Sequence, residues 1–121
     1  MAAASDDALR AAGLSGAKLA ALRDLTAKSI AGTVPTLAQA RRLSDDDLIA
    51  RLTNVRGIGP WTVHMLLIFR LGRPDVMPTG DFAIRLAFSN HFNRGRPIKP
   101  TVLLAYAERW RPWRSVASWY L

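Results

Sequence analysis

The sequence contains no cysteine. That absence removes disulfides, thiolate zinc sites, iron–sulfur clusters and cysteine nucleophiles together. Imidazole is nearly as scarce: His64 and His91 stand far apart, too few for a side-chain transition-metal site, and His64, set in an apolar run, reads as a packed side chain. Lysine is confined to positions 18, 28 and 99. Long apolar runs are missing as well, since the stretch after Pro60 is broken by His64 and Arg70 and is too short for a membrane span. The opening "MAAASDDALR" lacks the charged and apolar regions of a signal peptide. No internal repeat and no low-complexity linker divides the chain, so residues 1–121 read as one domain with a cytoplasmic location and no membrane partner.

What the sequence does have is arginine, and the net charge is +8. Guanidinium presents a planar fork of donors that suits phosphate oxygens, so a folded surface charged in this way favours a nucleic-acid partner. A basic solvated surface with no partner is the plain alternative. Half the residues are apolar, which suits a globular chain.

The punctuation is helical throughout, and no strand is predicted. Ser5 opens a short helix that stops at Gly13, and a second helix follows Ser15, with Leu19, Leu22, Leu25 and Ile30 apolar, Lys18, Arg23 and Lys28 on its other face, and a stop near Gly32. Thr36 starts a short piece. "SDDDLIARL" predicts a capping box in which Ser44 and Asp47 each reach the other's amide. Pro60 begins a helix running to Leu71 and stopping at Gly72, apolar on most sides and therefore a core element. "RPDVMPTGD" reads as a loop, "DFAIRLAFSNHF" as a helix with Ile84, Phe88 and Phe92 along one side and Asp81 at its start. "KPTVLLAYAERW" and "RPWRSVASWYL" complete an all-α helical bundle.

Residues 53–62 are the most constrained stretch. The glycines of "RGIGP" allow positive φ between two helices, so backbone amides can converge where the next helix begins and grip a phosphate without reading sequence. A tight packing turn explains the same residues. Asp81 has two readings, an N-cap or an anion with chemistry to do. Burial would raise its pKa and the helix start would lower it, and the sequence does not rank the two. Trp61 divides evenly between core packing and an exposed stacking face, whereas Trp110, Trp113 and Trp119 favour core packing. Arg56 flanks the turn within reach of phosphate.

"LTNVRGIGPWTVHMLLIF", then "DVMPTGDFAIRLAF", then "YAERWRPWRSVASWY" resemble, in order, three motifs of the helix-hairpin-helix DNA glycosylase superfamily, in its alkylation-repair branch typified by 3-methyladenine DNA glycosylase II. The resemblance covers roughly residues 8 to 121. It implies a monofunctional DNA glycosylase of base excision repair that flips alkylated purines such as 3-methyladenine out of double-stranded DNA and hydrolyses their N-glycosidic bond. It places the catalytic aspartate on Asp81, the hairpin glycines on Gly57 and Gly59, and main-chain carbonyls around Thr53 and Val55 on a structural Na or K ion, with no other cofactor. Given that activity, Trp61 is the candidate base-pocket residue, able to stack on the flipped base, and Arg56 and Thr62 join the glycines as candidate phosphate contacts. Members with an added lyase activity carry a nucleophilic lysine two residues after the second hairpin glycine. That place holds Trp61 here, and the four-cysteine cluster of the endonuclease III branch is absent.

The likeness begins late. The family's amino-terminal helices and its glutamine and serine segment are not matched ahead of "ALRAAGLSG", and the family tail usually continues past "WYL". The expectation is a chain clipped at both ends, with apolar faces open to self-association and weaker excision than in full-length relatives. Two other classes compete: a truncated, weak or inactive helix-hairpin-helix DNA-binding module, and an unrelated helical bundle with a protein partner.

Overall fold

The computed structural model describes residues 4 to 121, and every regular element among them is helical. Among these residues no helix is long and apolar enough to cross a membrane. The chain divides into two compact units at the Gly59–Pro60 step.

The first unit holds α1 (Asp6–Ala11), α2 (Gly16–Ile30), α3 (Leu37–Ala40) and α4 (Asp45–Leu52). Each starts from an extended Ser or Thr whose hydroxyl accepts an amide of the first turn: Ser5 from Ala8, Ser15 from Lys18, Thr36 from Gln39 and Ser44 from Asp47. Such caps contribute about 1 kcal/mol each, which helps helices as short as α3 and α4. The reciprocal capping box predicted at Ser44 forms only by half, because the Ser44 hydroxyl donates to the Asp47 carboxylate at 2.7 Å. The complete box lies one helix earlier, where Gln39 Oε1 accepts the Thr36 amide at 2.9 Å. Leu19, Ala40, Leu48, Leu52 and Val55 are buried. Leu22 and Leu25 are half-buried and Ile30 is exposed, so only part of the apolar stripe read on α2 is covered.

In the second unit, α5 (Pro60–Met65) passes without a break into a π turn (Leu66–Arg70). Next come α6 (Phe82–Phe92), α7 (Pro100–Ala107) with a terminal 3₁₀ turn, and α8 (Arg114–Tyr120). Met77, Phe88, Leu103 and Ala107 form its core, lined by Ile84, Ile98, Tyr106, Trp110 and Leu121. Phe88 meets Tyr106 edge-on at 4.8 Å and Trp110 at 6.2 Å. Trp110 thus packs as predicted, but Trp113 and Trp119 do not: they are 60% and 69% exposed. The helix after Pro60 also departs from its predicted form. The Leu71 amide bonds the Leu66 carbonyl five residues back, at 3.1 Å. One extra residue in a turn swings the side chains that follow it. Val63 and Leu67 are buried, while Phe69 is 64% exposed.

The stretch read as a loop is a buried strap. Val76, Met77 and Pro78 are enclosed, and Ser115 fastens them by accepting the Val76 amide at 2.9 Å and donating to the Arg73 carbonyl at 2.7 Å. The buried Arg114 reaches Asp75 at 2.7 Å, and Arg111 reaches it at 2.6 Å. Burial pushes the Asp75 carboxyl upward, but the Arg114 and Arg111 guanidiniums outweigh it and hold the pKa below the usual 3.8. Because the folded pKa is depressed, this stabilisation is complete above the ordinary value and is lost as pH falls through the folded one. Asp75→Asn should melt several degrees below the parent at neutral pH and lose less further stability on acidification. Circular dichroism melts taken at a series of pH values from about 6 down to about 2 test this; parallel loss in both proteins would remove Asp75 from the role.

Candidate active site

Asp81 sits where the strap enters α6. The Pro78 carbonyl accepts the Asp81 amide at 2.9 Å, which turns the chain and leaves Asp81 extended at φ −72° and ψ 124°. In that conformation one carboxylate oxygen, Oδ1, accepts the Ile84 amide at 3.1 Å as an N-cap. The other, Oδ2, accepts the Trp61 indole N–H at 2.7 Å. The N-cap and functional-anion readings are therefore compatible, since the cap fixes the orientation of the group.

The balance left open by the sequence is settled. The Trp61 hydrogen bond lowers the Asp81 pKa most; burial opposes it, and the Ile84 and Ala83 amides and the Arg85 charge add to the lowering. The net direction is below 3.8, so the carboxylate is ionised at neutral pH.

Asp81 lines a concavity of about 260 Å³ with Met65, Ile68, Phe69, Pro78, Ile84, Ser118 and Trp119. Phe69 and Trp119 meet edge to face, their ring centroids 5.6 Å apart. The Ser118 hydroxyl is directed to the Arg114 and Ser115 carbonyls at 2.8 and 3.1 Å, so it is occupied within α8. The site offers two aromatic rings, aliphatic walls and one anion. Trp61 and Asp81 are brought together, with Trp61 a hydrogen-bond donor to the carboxylate and not among the residues lining the cavity. Phe69, which the sequence reading did not name, and Trp119, for which it favoured core packing over stacking, hold the wall. The π turn that exposes Phe69 leaves no trace in a period of 3.6 residues.

The glycine turn, described within the first unit, follows α4. Its Val55 amide bonds the Leu52 carbonyl and its Ile58 amide the Val55 carbonyl, at 3.0 and 3.1 Å. Gly57 has φ +80°, and a Cβ there would lie 3.2 Å from Ala21 Cβ, so glycine is needed on both counts. Gly59 lies outside the left-handed region and faces open space, leaving its amide approachable. The Arg56 amide is committed to the Asp24 carboxylate at 2.7 Å, whereas the Arg56 side chain is exposed. Thr62 is exposed in the first turn of α5. The Val55 carbonyl, implied with that of Thr53 as a cation ligand, keeps a second lone pair beyond its bond to Ile58 and so suits a hard monovalent ion.

No family model matches the chain. It is 44% identical over 115 residues to DNA-3-methyladenine glycosylase 1 of Schizosaccharomyces pombe, an alignment covering 93% of this chain and 50% of that protein. Among solved structures, a 3-methyladenine DNA glycosylase from Schizosaccharomyces pombe in complex with abasic DNA superposes with a TM-score of 0.85 at 39% identity, over 97% of this chain and 57% of the other. A DNA-3-methyladenine glycosidase from Bacillus halodurans superposes with a TM-score of 0.88 at 30% identity, over 98% and 54%. The chain thus spans about half the length of the relatives it matches. Homology along nearly its whole length, with the same helical fold, relates the chain to about half of a DNA-3-methyladenine glycosylase.

Proposed function

We propose that the chain carries the catalytic carboxylate, base pocket and strand-gripping turn of a monofunctional DNA glycosylase that acts in base excision repair. Its substrate is an alkylated purine such as 3-methyladenine, flipped from double-stranded DNA and cut at the N-glycosidic bond. The observation that carries this reading is an ionised, doubly hydrogen-bonded Asp81 on the wall of an aromatic cavity.

One carboxylate is enough for this substrate. Ordinary glycosidases need a second carboxyl group to protonate the leaving group. An alkylated purine already carries positive charge and departs as a neutral base. As the bond stretches, charge appears on the sugar, and a fixed carboxylate about 4 Å away at an effective dielectric near 20 contributes roughly 4 kcal/mol. That amounts to about a thousandfold in rate. Trp61 and the Ile84 amide hold the group in place before the reaction, so little reorganisation is required. Asp81 can also orient or deprotonate the attacking water.

The walls suit a cationic base. Electron-poor rings stack on the faces of Phe69 and Trp119, and the Asp81 charge rewards a positive guest over a neutral one. No lysine stands beside the second hairpin glycine, so a Schiff-base route has no nucleophile there. The Gly57 and Gly59 amides, with the Arg56 guanidinium, suit backbone phosphate, and the exposed Thr62 hydroxyl is a further phosphate donor in its own unit. On the same reading the Thr53 and Val55 carbonyls hold a monovalent Na or K ion, which supplies positive charge to the turn when bound.

Release of 3-methyladenine from methylated duplex DNA by the chain should fall about a thousandfold in Asp81→Asn, which keeps the N-cap acceptor but not the charge. Equal release by both proteins would take Asp81 out of the reaction. Trp61→Phe, which keeps the ring but not the N–H, should lower the single-turnover rate about tenfold. It should also move the acid limb of the pH–rate profile to higher pH, because the donor that most lowers the Asp81 pKa is gone. An unmoved limb would mean that the indole does not tune the carboxylate. Trp119→Ala should weaken discrimination for 3-methyladenine over unmodified adenine, measured as the ratio of their release rates; an unchanged ratio would place the base elsewhere.

A further inference from the structure

Helix α2 presents Asp24 and Lys28 one turn apart, and both engage the backbone of the glycine turn. Asp24 Oδ2 accepts the Arg56 amide at 2.7 Å and the Lys28 ammonium at 2.8 Å. The same ammonium donates to the Asn54 carbonyl at 2.5 Å. A carbonyl and an amide two residues apart are thus pinned by one ion pair, 26 and 32 residues away in sequence. One turn earlier on α2, Ala21 lies so close beneath Gly57 that a Cβ there would sit 3.2 Å from its own.

This clamp decides which amides remain available. The Arg56 N–H is spent on Asp24 and the Ile58 N–H on the Val55 carbonyl. The Gly57 and Gly59 amides have no hydrogen-bond partner among the described residues, and neither carries a side chain to block an approaching oxygen. The charges matter as well. A bare carboxylate beside the turn would repel phosphate, and Lys28 neutralises it while leaving the exposed Arg56 guanidinium as net positive charge.

We propose that Asp24 and Lys28 are positioning residues of the DNA clasp: they select the Gly57 and Gly59 amides for phosphate, and Lys28 masks the Asp24 charge beside them. The inference rests on reading the turn as a strand-gripping element. Neither residue touches DNA, and both act through the turn's backbone.

Two measurements on the full chain test it: amide hydrogen exchange at Arg56 and Gly57 without DNA, and the affinity for a fluorescein-labelled duplex containing an abasic-site analogue. Asp24→Ala should speed exchange at Arg56 and weaken duplex binding roughly tenfold. Asp24→Asn, which keeps an acceptor and sheds the charge, should hold exchange slow and affinity within about threefold of the parent. Lys28→Met unmasks the carboxylate and should weaken binding roughly tenfold, and adding Asp24→Asn to it should recover most of the loss. A merely structural pair would give no such recovery, and its absence overturns the masking role. Faster exchange in Asp24→Ala with unaltered affinity would overturn the positioning inference and leave the clasp reading standing. A parent chain that binds no duplex even at low salt would overturn the clasp reading itself.

Discussion

The hydrogen bond from the Trp61 indole to Asp81 Oδ2 is the contact on which the site depends. A carboxylate at the head of a helix is held at only one oxygen by its N-cap bond, and the other is free to take a proton or to swing. The indole removes both freedoms. It fixes the second oxygen at 2.7 Å, and it rewards the charged form over the neutral one. The outcome is an anion whose position and ionisation are set before any substrate arrives, which is the condition for electrostatic stabilisation of a cationic sugar.

Much of the second unit serves to present that carboxylate. The strap from Arg73 to Pro78 delivers the chain to Asp81, and it is immobilised by Ser115, by the Asp75–Arg114 pair and by the burial of Val76, Met77 and Pro78. The same Arg114 and Ser115 open α8, whose last turns carry Ser118 and Trp119 to the cavity wall. One polar network therefore locks the acid's approach and the helix that bears an aromatic wall. The aromatic cluster of Phe88, Tyr106 and Trp110 supports α6 one turn beyond the cavity-lining Ile84, and none of the three lines the cavity.

How far this could be read from the residues varies with the range of the interaction. Helix starts at Ser5, Ser15, Thr36 and Ser44 were legible because capping is local, and Asp81 was legible as a cap for the same reason. The glycine turn was legible because glycine is strong punctuation, although only Gly57 uses positive φ. The resemblance, carried by three ordered motifs, added a reading that local chemistry could not: a second task for the capping aspartate. Phe69 and Trp119 stayed hidden. A π turn shifts the facing of every residue after it, and Trp119 belongs to a helix whose covered side is decided by Arg114 and Ser115, about forty positions from their partners on the strap. Asp24 and Lys28 were hidden too, because a charged pair on an exposed helix face looks the same whether or not a distant backbone segment lies against it.

The central claim is that Asp81 is a fixed anion held by an indole donor. The measurement that tests it most directly is the titration of the Asp81 carboxyl carbon, followed by carbon-13 NMR in the parent chain and in Trp61→Phe. The account predicts a midpoint below the ordinary 3.8 in the parent, rising when the indole N–H is removed. A midpoint at or above the ordinary value in the parent, unmoved by the substitution, would contradict it.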